Sequence, residues 1–379
     1  LAGRAAAGAD VLVVEGVMGL FDGAAVPGPD ASTASVARLL DAPVVLVVDA
    51  SAMSRSVAAV VHGFATFEPG VRVGGVILNR VGGPGHVELL AAALAPSGIP
   101  VLGALARDDR LTWRDRHLGL VPVAEDRAAV EGSVRALAEV VAGAVDLDAV
   151  MALARSAPAA PVGDPPFPRP AGRARVAVAG GPAFTFVYQD NLEALEAAGA
   201  ELVPFDPVAD PALPAGTGAV YAGGGFPEVY AAALAANAPL LAELRTRVDG
   251  GMAVWAECGG LLWLARRLDG APLAGVVPAD GRLTDRLTLG YRTATARTDS
   301  PLTPAGGCLR GHEFHYSTLD PPGDAFTLEG RNGTARAGWA GPRLAASYLH
   351  LHLGGDPAPA SRFVATAAAA GSRFAGRGA

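Results

Sequence analysis

The chain has 379 residues, 51% of them hydrophobic and 18% charged, with a formal net charge of −7. That length accommodates two domains with separate cores, and the acidic balance argues against nucleic acid as a general partner. No apolar run approaches bilayer-spanning length and no secretory signal opens the chain, so neither a membrane nor an export role is expected.

Two cysteines, Cys258 and Cys308, cannot build a disulfide framework, which makes a reducing cytoplasm the expected location. The sequence contains no lysine. A Walker-type phosphate loop requires one, so no such loop lies within these residues. Leu1 to Asp10 reads as an Ala-rich helix end feeding a strand, and further residues are expected to precede Leu1.

Val11-Leu12-Val13-Val14-Glu15-Gly16 reads as a buried parallel strand ending in an acid. A carboxylate at such a strand end faces the crevice where open α/β sheets bind ligands, so Glu15 is a candidate Mg²⁺ ligand. Asp22, on the following Gly-rich loop, faces metal or substrate. The competing reading makes Glu15 a cap for the next turn. Ser32 or Thr33 caps a helix that runs to Leu40. Pro43–Asp49, Gly75–Val81 and Val101–Leu105 read as further strands, with helices over Ser54–Phe64 and Asp126–Ala142. Asn79, at a strand end, can read an adenine edge through its amide, although Asn is also a common turn former. The loop from Arg107 to Leu120 is highly charged, and Arg116-His117 within it can clamp anionic groups. Alternating strands and helices predict a parallel sheet with right-handed crossovers over residues 1–150.

The Pro-rich stretch from Pro161 to Pro170 can propagate neither helix nor ladder, and 151–172 reads as a linker. A second α/β unit spans 173–379. It opens with strands at Arg175–Ala179, Ala200–Phe205 and Gly218–Tyr221. Gly223-Gly224-Gly225-Phe226-Pro227-Glu228 then exposes backbone N–H groups at a strand end, which suits either an oxyanion pocket or a tight turn. The run Met252–Glu257 is a buried strand that breaks at Cys258-Gly259-Gly260 and resumes as a helix. Such a bend pushes a nucleophile out of the sheet, and a helix N-terminus behind it favours a thiolate. The Gly259 N–H can donate to an oxyanion. A small buried structural cysteine is the competing reading.

Toward the C-terminus, Gly290–Ala294 and Gly311–Ser317 read as strands. Ala346–His352 reads as one more, placing His350 and His352 on the same face. A late-strand histidine is the partner that a cysteine nucleophile needs, to accept its proton and return it to a leaving amine. Metal binding by the clustered histidines is disfavoured, because no short Cys/His ligand pair accompanies Cys258.

Val13–Gly23, Arg116–Leu120, Gly223–Glu228, Ala256–Gly260, Gly311–Ser317 and Tyr348–His352 resemble, in this order and across essentially the whole chain, the cobyrinic acid a,c-diamide synthase family. The hydrogenobyrinic acid enzymes belong to it. The resemblance implies an α/β fold of two domains. The first is a dethiobiotin-synthetase-like, P-loop-type parallel sheet, here N-terminally truncated with its P-loop missing. The second is a class I glutamine amidotransferase domain. It further implies that Cys258 attacks glutamine with His350 as base (His352 being the fallback), and that Gly225 and Gly259 form the oxyanion hole. The usual third, acidic member of the triad is not evident after the histidine, so a Cys–His dyad is expected. Ammonia then meets corrinoid carboxylates activated by ATP, with Mg²⁺ at Glu15, substrate near Asp22 and adenine near Asn79. The implied partners are a corrinoid, L-glutamine and ATP, with room for a homodimer. Cobyric acid synthase, which amidates other side chains, is the nearest alternative. A non-catalytic nucleotide-binding adaptor is an alternative from another class.

Overall fold

The computed structural model describes residues 1–24, 31–108, 127–159, 167, 170 and 172–375. The Arg116–Leu120 motif lies outside them. The chain divides into two compact units, 1–165 and 166–379.

In the first unit, α1 (Ala2–Ala5) and α2 (Thr33–Leu40) precede the alternation β1 (Val44–Asp49), α3 (Ser56–Thr66), β2 (Val73–Val81), α4 (Pro84–Leu94) and β3 (Val101–Ala106). Helices α5 (Arg127–Ala144) and α6 (Leu147–Ala154) follow. Ser32 caps α2 by accepting the Ser35 N–H, as its residue type predicts. The three strands pair in parallel in the order β1-β2-β3, so Asp49, Asn79 and Leu105 meet in register at their C-terminal ends. The expected strand over Val11–Gly16 is not formed. The run is irregular and Val13 is 84% exposed. A parallel strand needs a hydrogen-bonded neighbour, and among the described residues this run pairs with no strand.

The second unit begins with β4 (Ala174–Ala179), α7 (Gln189–Ala197), β5 (Ala200–Phe205), β6 (Ala219–Ala222), α8 (Ala231–Ala236) and α9 (Ala238–Asp249). Next come β7 (Ala253–Glu257), α10 (Gly259–Leu264), β8 (Ala265–Leu268), β9 (Ala271–Pro272), the long β10 (Val277–Ala296) and β11 (Cys308–Asp320). The remainder is β12 (Phe326–Gly330), β13 (Gly333–Ala337), β14 (Trp339–Gly341), β15 (Leu344–Ser347), β16 (His350–Leu351) and α11 (Ala358–Ala375). Six strands form one sheet in the order β14-β15-β7-β6-β4-β5, parallel except for the edge pair β14·β15.

The apolar strands of this sheet are buried on both faces. Val176, Val178, Tyr221 and Trp255 feed one core, whereas Ala177, Ala179, Val220 and Val254 feed the other. The period-two alternation therefore supplies two hydrophobic layers, and the sequence reads as a continuous apolar run.

The second sheet is built on the antiparallel pair β10·β11 and carries β16 on its β11 edge. The expected continuous strand over Ala346–His352 is thus two strands in two sheets. Ser347 pairs with Glu257 in the first sheet, and His350 pairs with His312 in the second. The chain crosses between sheets at Tyr348 and Leu349, which removes the uninterrupted pleat that the same-face expectation required. Among the described residues, no helix is long and apolar enough to cross a membrane.

Candidate active site

The end of β7 carries the sharp bend read from the sequence. Cys258 adopts φ 47° and ψ −99°, a conformation costly for a residue with a Cβ and characteristic of a nucleophile turn. The two glycines after it are required by close approach of the loop that follows β6. A Cβ on Gly259 would lie 2.9 Å from the Gly225 nitrogen, and one on Gly260 would strike the Ala222 carbonyl. That loop is fixed on both sides. Gly224 and Phe186 exchange backbone hydrogen bonds of 2.9 and 3.1 Å, and the Gly260 N–H donates to the Gly223 carbonyl at 2.9 Å. The two residues expected to form the oxyanion hole, Gly225 and Gly259, are therefore neighbours.

His350 lies against the other side of the same loop. Its Cε1 would be 2.6 Å from a Cβ on Gly224, and its ring packs edge-on to Phe186 and stacks with His312. The Cys258 N–H donates to the Ser347 carbonyl, so the segment leading to His350 is anchored on the nucleophile itself. His350 is 4% exposed. His352 diverges from it, being half-exposed with its Nε2 3.1 Å from the Asp190 carboxylate.

The electrostatics overturn one expectation. Burial first, and then the Glu228 carboxylate, push the Cys258 thiol up to about 12, while the Gly259 N–H acts in the opposite direction. The helix behind it, α10, has only six residues and does not offset this. The resting sulfur is a thiol, and it donates to the Phe314 carbonyl at 3.8 Å. Burial, with His312 and His315 nearby, lowers His350 to about 3, leaving a neutral imidazole able to accept a proton.

Several neighbours went unnoticed in the sequence. Glu257 is 2% exposed, accepts from the Leu351 N–H at 2.9 Å and from the Tyr221 hydroxyl at 3.2 Å, and is raised by burial to about 8. Asn191 donates to the Leu351 carbonyl and accepts from the Leu353 N–H, both at 2.8 Å. Arg292 donates to the buried Glu313 at 2.7 Å, and His315 stacks on Tyr348 with ring centroids 3.7 Å apart. Only the polar–aromatic composition of Gly311–Ser317 hinted at the last two pairs.

The remaining candidate residues belong to the first unit. Glu15 and Asp22 are exposed in irregular segments, and Asn79 lies two residues before the end of β2, its carbonyl accepting from the Ala50 N–H. The described residues gather no group of three or more His, Cys, Asp or Glu able to hold a metal. Mg²⁺ asks a protein for only one or two carboxylates beside nucleotide phosphates, and Glu15 and Asp22 supply oxygen donors of that type.

Residues 175–358 match the profile of CobB/CobQ-like glutamine amidotransferase domains, and residues 3–115 match that of an AAA domain. The hydrogenobyrinate a,c-diamide synthase of Streptomyces coelicolor is 47% identical over 95% of this chain and 81% of that protein. The enzyme of the same name from Thermobifida fusca is 48% identical over 94% and 79%. The cobyrinate a,c-diamide synthase of a Synechococcus strain is 40% identical over 92% and 79%. Identity at this level over nearly the whole chain places it: the chain belongs to the family of hydrogenobyrinate and cobyrinate a,c-diamide synthases.

Proposed function

We propose that this chain is an ATP- and glutamine-dependent ligase that amidates the a- and c-carboxylates of hydrogenobyrinic or cobyrinic acid. Residues 173–379 release ammonia and residues 1–150 activate the carboxylate. The observation that carries the reading is the Cys258 turn, packed on the Gly223–Gly225 loop whose Gly224 also meets His350.

Thiol and imidazole are both neutral at rest, so proton transfer from Cys258 to His350 accompanies attack on the glutamine carboxamide rather than preceding it. The Sγ–C bond forms, and the developing oxyanion is met by the N–H groups of Gly225 and Gly259. The tetrahedral adduct then collapses to a glutamyl thioester. The C–N bond breaks, and His350 returns the proton to the departing nitrogen as ammonia leaves. Water hydrolyses the thioester to glutamate.

A carboxylate is inert to ammonia. Phosphorylation by ATP turns one of its oxygens into a leaving group, and ammonia displaces phosphate to give the amide. Glu15 is the residue proposed for Mg²⁺, which would neutralise nucleotide phosphate charge. Asp22 and Asn79 are proposed to meet the corrinoid and adenine.

The test is incubation with 6-diazo-5-oxo-norleucine followed by peptide mass spectrometry, alongside Cys258→Ser. One adduct on Cys258 and loss of glutaminase activity in the variant are expected. An unmodified Cys258 and a fully active variant would sink the amidotransferase reading and leave the adaptor alternative standing.

A further inference from the structure

The histidine of this site is held by no acid from its own strand, because His352 occupies the position two residues on, with its Nε2 3.1 Å from the Asp190 carboxylate. Yet the residue that follows His350 is gripped at both its backbone N–H and its backbone carbonyl. The Leu351 N–H donates to Glu257 Oε1 at 2.9 Å, and the Leu351 carbonyl accepts from Asn191 at 2.8 Å. Tyr221 joins the two clamps, donating to Glu257 Oε2 at 3.2 Å and accepting from Asn191 at 3.3 Å. All three side chains are buried, and each of these hydrogen bonds is satisfied inside the protein, where such a network rigidifies what it touches.

We propose that Glu257 is a positioning residue for glutamine hydrolysis, holding His350 at the nucleophile turn through the Leu351 amide. Glu257 is bonded to Cys258 in sequence, and its side chain fixes the residue bonded to His350. One side chain therefore sets the spacing between the two backbones that carry thiol and imidazole. The opposite side of His350 is set by its pairing with His312 on β11. The inference rests on the glutaminase reading above. The raised affinity of Glu257 for a proton is in keeping with it, since a neutral carboxyl keeps its acceptor oxygen for the amide while adding no negative charge beside the thiol.

Three variants of the full chain test it: Glu257→Gln, Glu257→Ala and Glu257→Asp. Gln keeps an acceptor oxygen at the same reach, Ala removes it, and Asp withdraws it by one methylene. For glutamine hydrolysis, Glu257→Gln is expected within about fivefold of the parent kcat. Glu257→Ala and Glu257→Asp are expected to lose about 100-fold, with KM for glutamine within about threefold, the size of effect that a displaced catalytic group produces. Hydrogen exchange of the peptide spanning residues 349–353 rises in Ala and Asp and not in Gln. Should Glu257→Ala fail to fold, the Gln and Asp pair carries the same comparison. A folded Asp variant with parental kcat overturns the proposal, and so does a Gln variant as impaired as Asp. A parent that hydrolyses no glutamine overturns the glutaminase reading instead, and unchanged exchange in the Asp variant then overturns the clamp.

Discussion

Gly224→Ala isolates the base from the rest of the site. A Cβ at this position would lie 2.6 Å from His350 Cε1 and 3.4 Å from Phe186 Cβ. Carbon atoms in contact rest at about 3.5–4.0 Å, so the imidazole must retreat by about 1 Å while Phe186 gives little. The ring has no easy refuge, being stacked on His312 behind and packed edge-on against Phe186. Overpacking of this kind costs about 1–3 kcal/mol of stability, which for a unit of this size lowers Tm by roughly 2–12 °C. A displacement of about 1 Å at a catalytic group costs about 100-fold in rate. Glutaminase activity should thus fall by about two orders of magnitude in a protein that still melts cooperatively. The assay is glutamate release at saturating glutamine, with a thermal melt on the same preparation. A Gly224→Ala variant with kcat within threefold of the parent would refute the placement of His350 against this loop.

Arg292→Ala should destabilise the second unit by about 3–5 kcal/mol in urea unfolding, because it strands the buried Glu313 carboxylate. That cost should be smaller near pH 5 than near pH 8, since burial already raises the carboxyl and protonation relieves it. Trp255→Ala should cost about 3–5 kcal/mol, as Trp255 stacks on Tyr221 at 4.2 Å and meets Phe363 edge-on in a filled core. Glu257, an acid raised from 4.5 to about 8, makes a contribution to the pH dependence of stability whose sign is defined. Its contribution is present in full below pH 4.5 and is lost as pH rises through about 8, up to about 5 kcal/mol. His350, lowered from 6.5 to about 3, contributes in the opposite sense, losing its share as pH falls from 6.5 through 3. Thermal melts from about pH 5 to about pH 9 should therefore show the parent losing stability relative to Glu257→Gln as pH rises. Parallel curves would contradict the burial assigned to that carboxyl.

What could be read from residues alone follows from how local each signal is. The strand–turn–helix at Cys258 was legible because an apolar run, two glycines and a helical resumption are contiguous, and short-range sterics dictate the bend. The loop at Gly223–Gly225 was legible for the same reason. Glu257 was not, since its partner amide is 94 positions away and nothing in the spacing of a lone acid in an apolar run announces it. The run Val11–Val14 has the composition of a buried strand, but a strand is completed by its neighbours and composition does not supply them. His350 and His352 misled in a related way. Period-two reasoning assumes one sheet, and the chain changes sheets just before His350.

Because the sulfur rides on one β-sheet and the imidazole on another, chemistry here depends on a registry that neither layer enforces by itself. A slip of about an ångström between the layers would silence turnover while every helix and strand persisted. Heating should accordingly extinguish glutamine hydrolysis at a lower temperature than the one at which far-ultraviolet dichroism collapses.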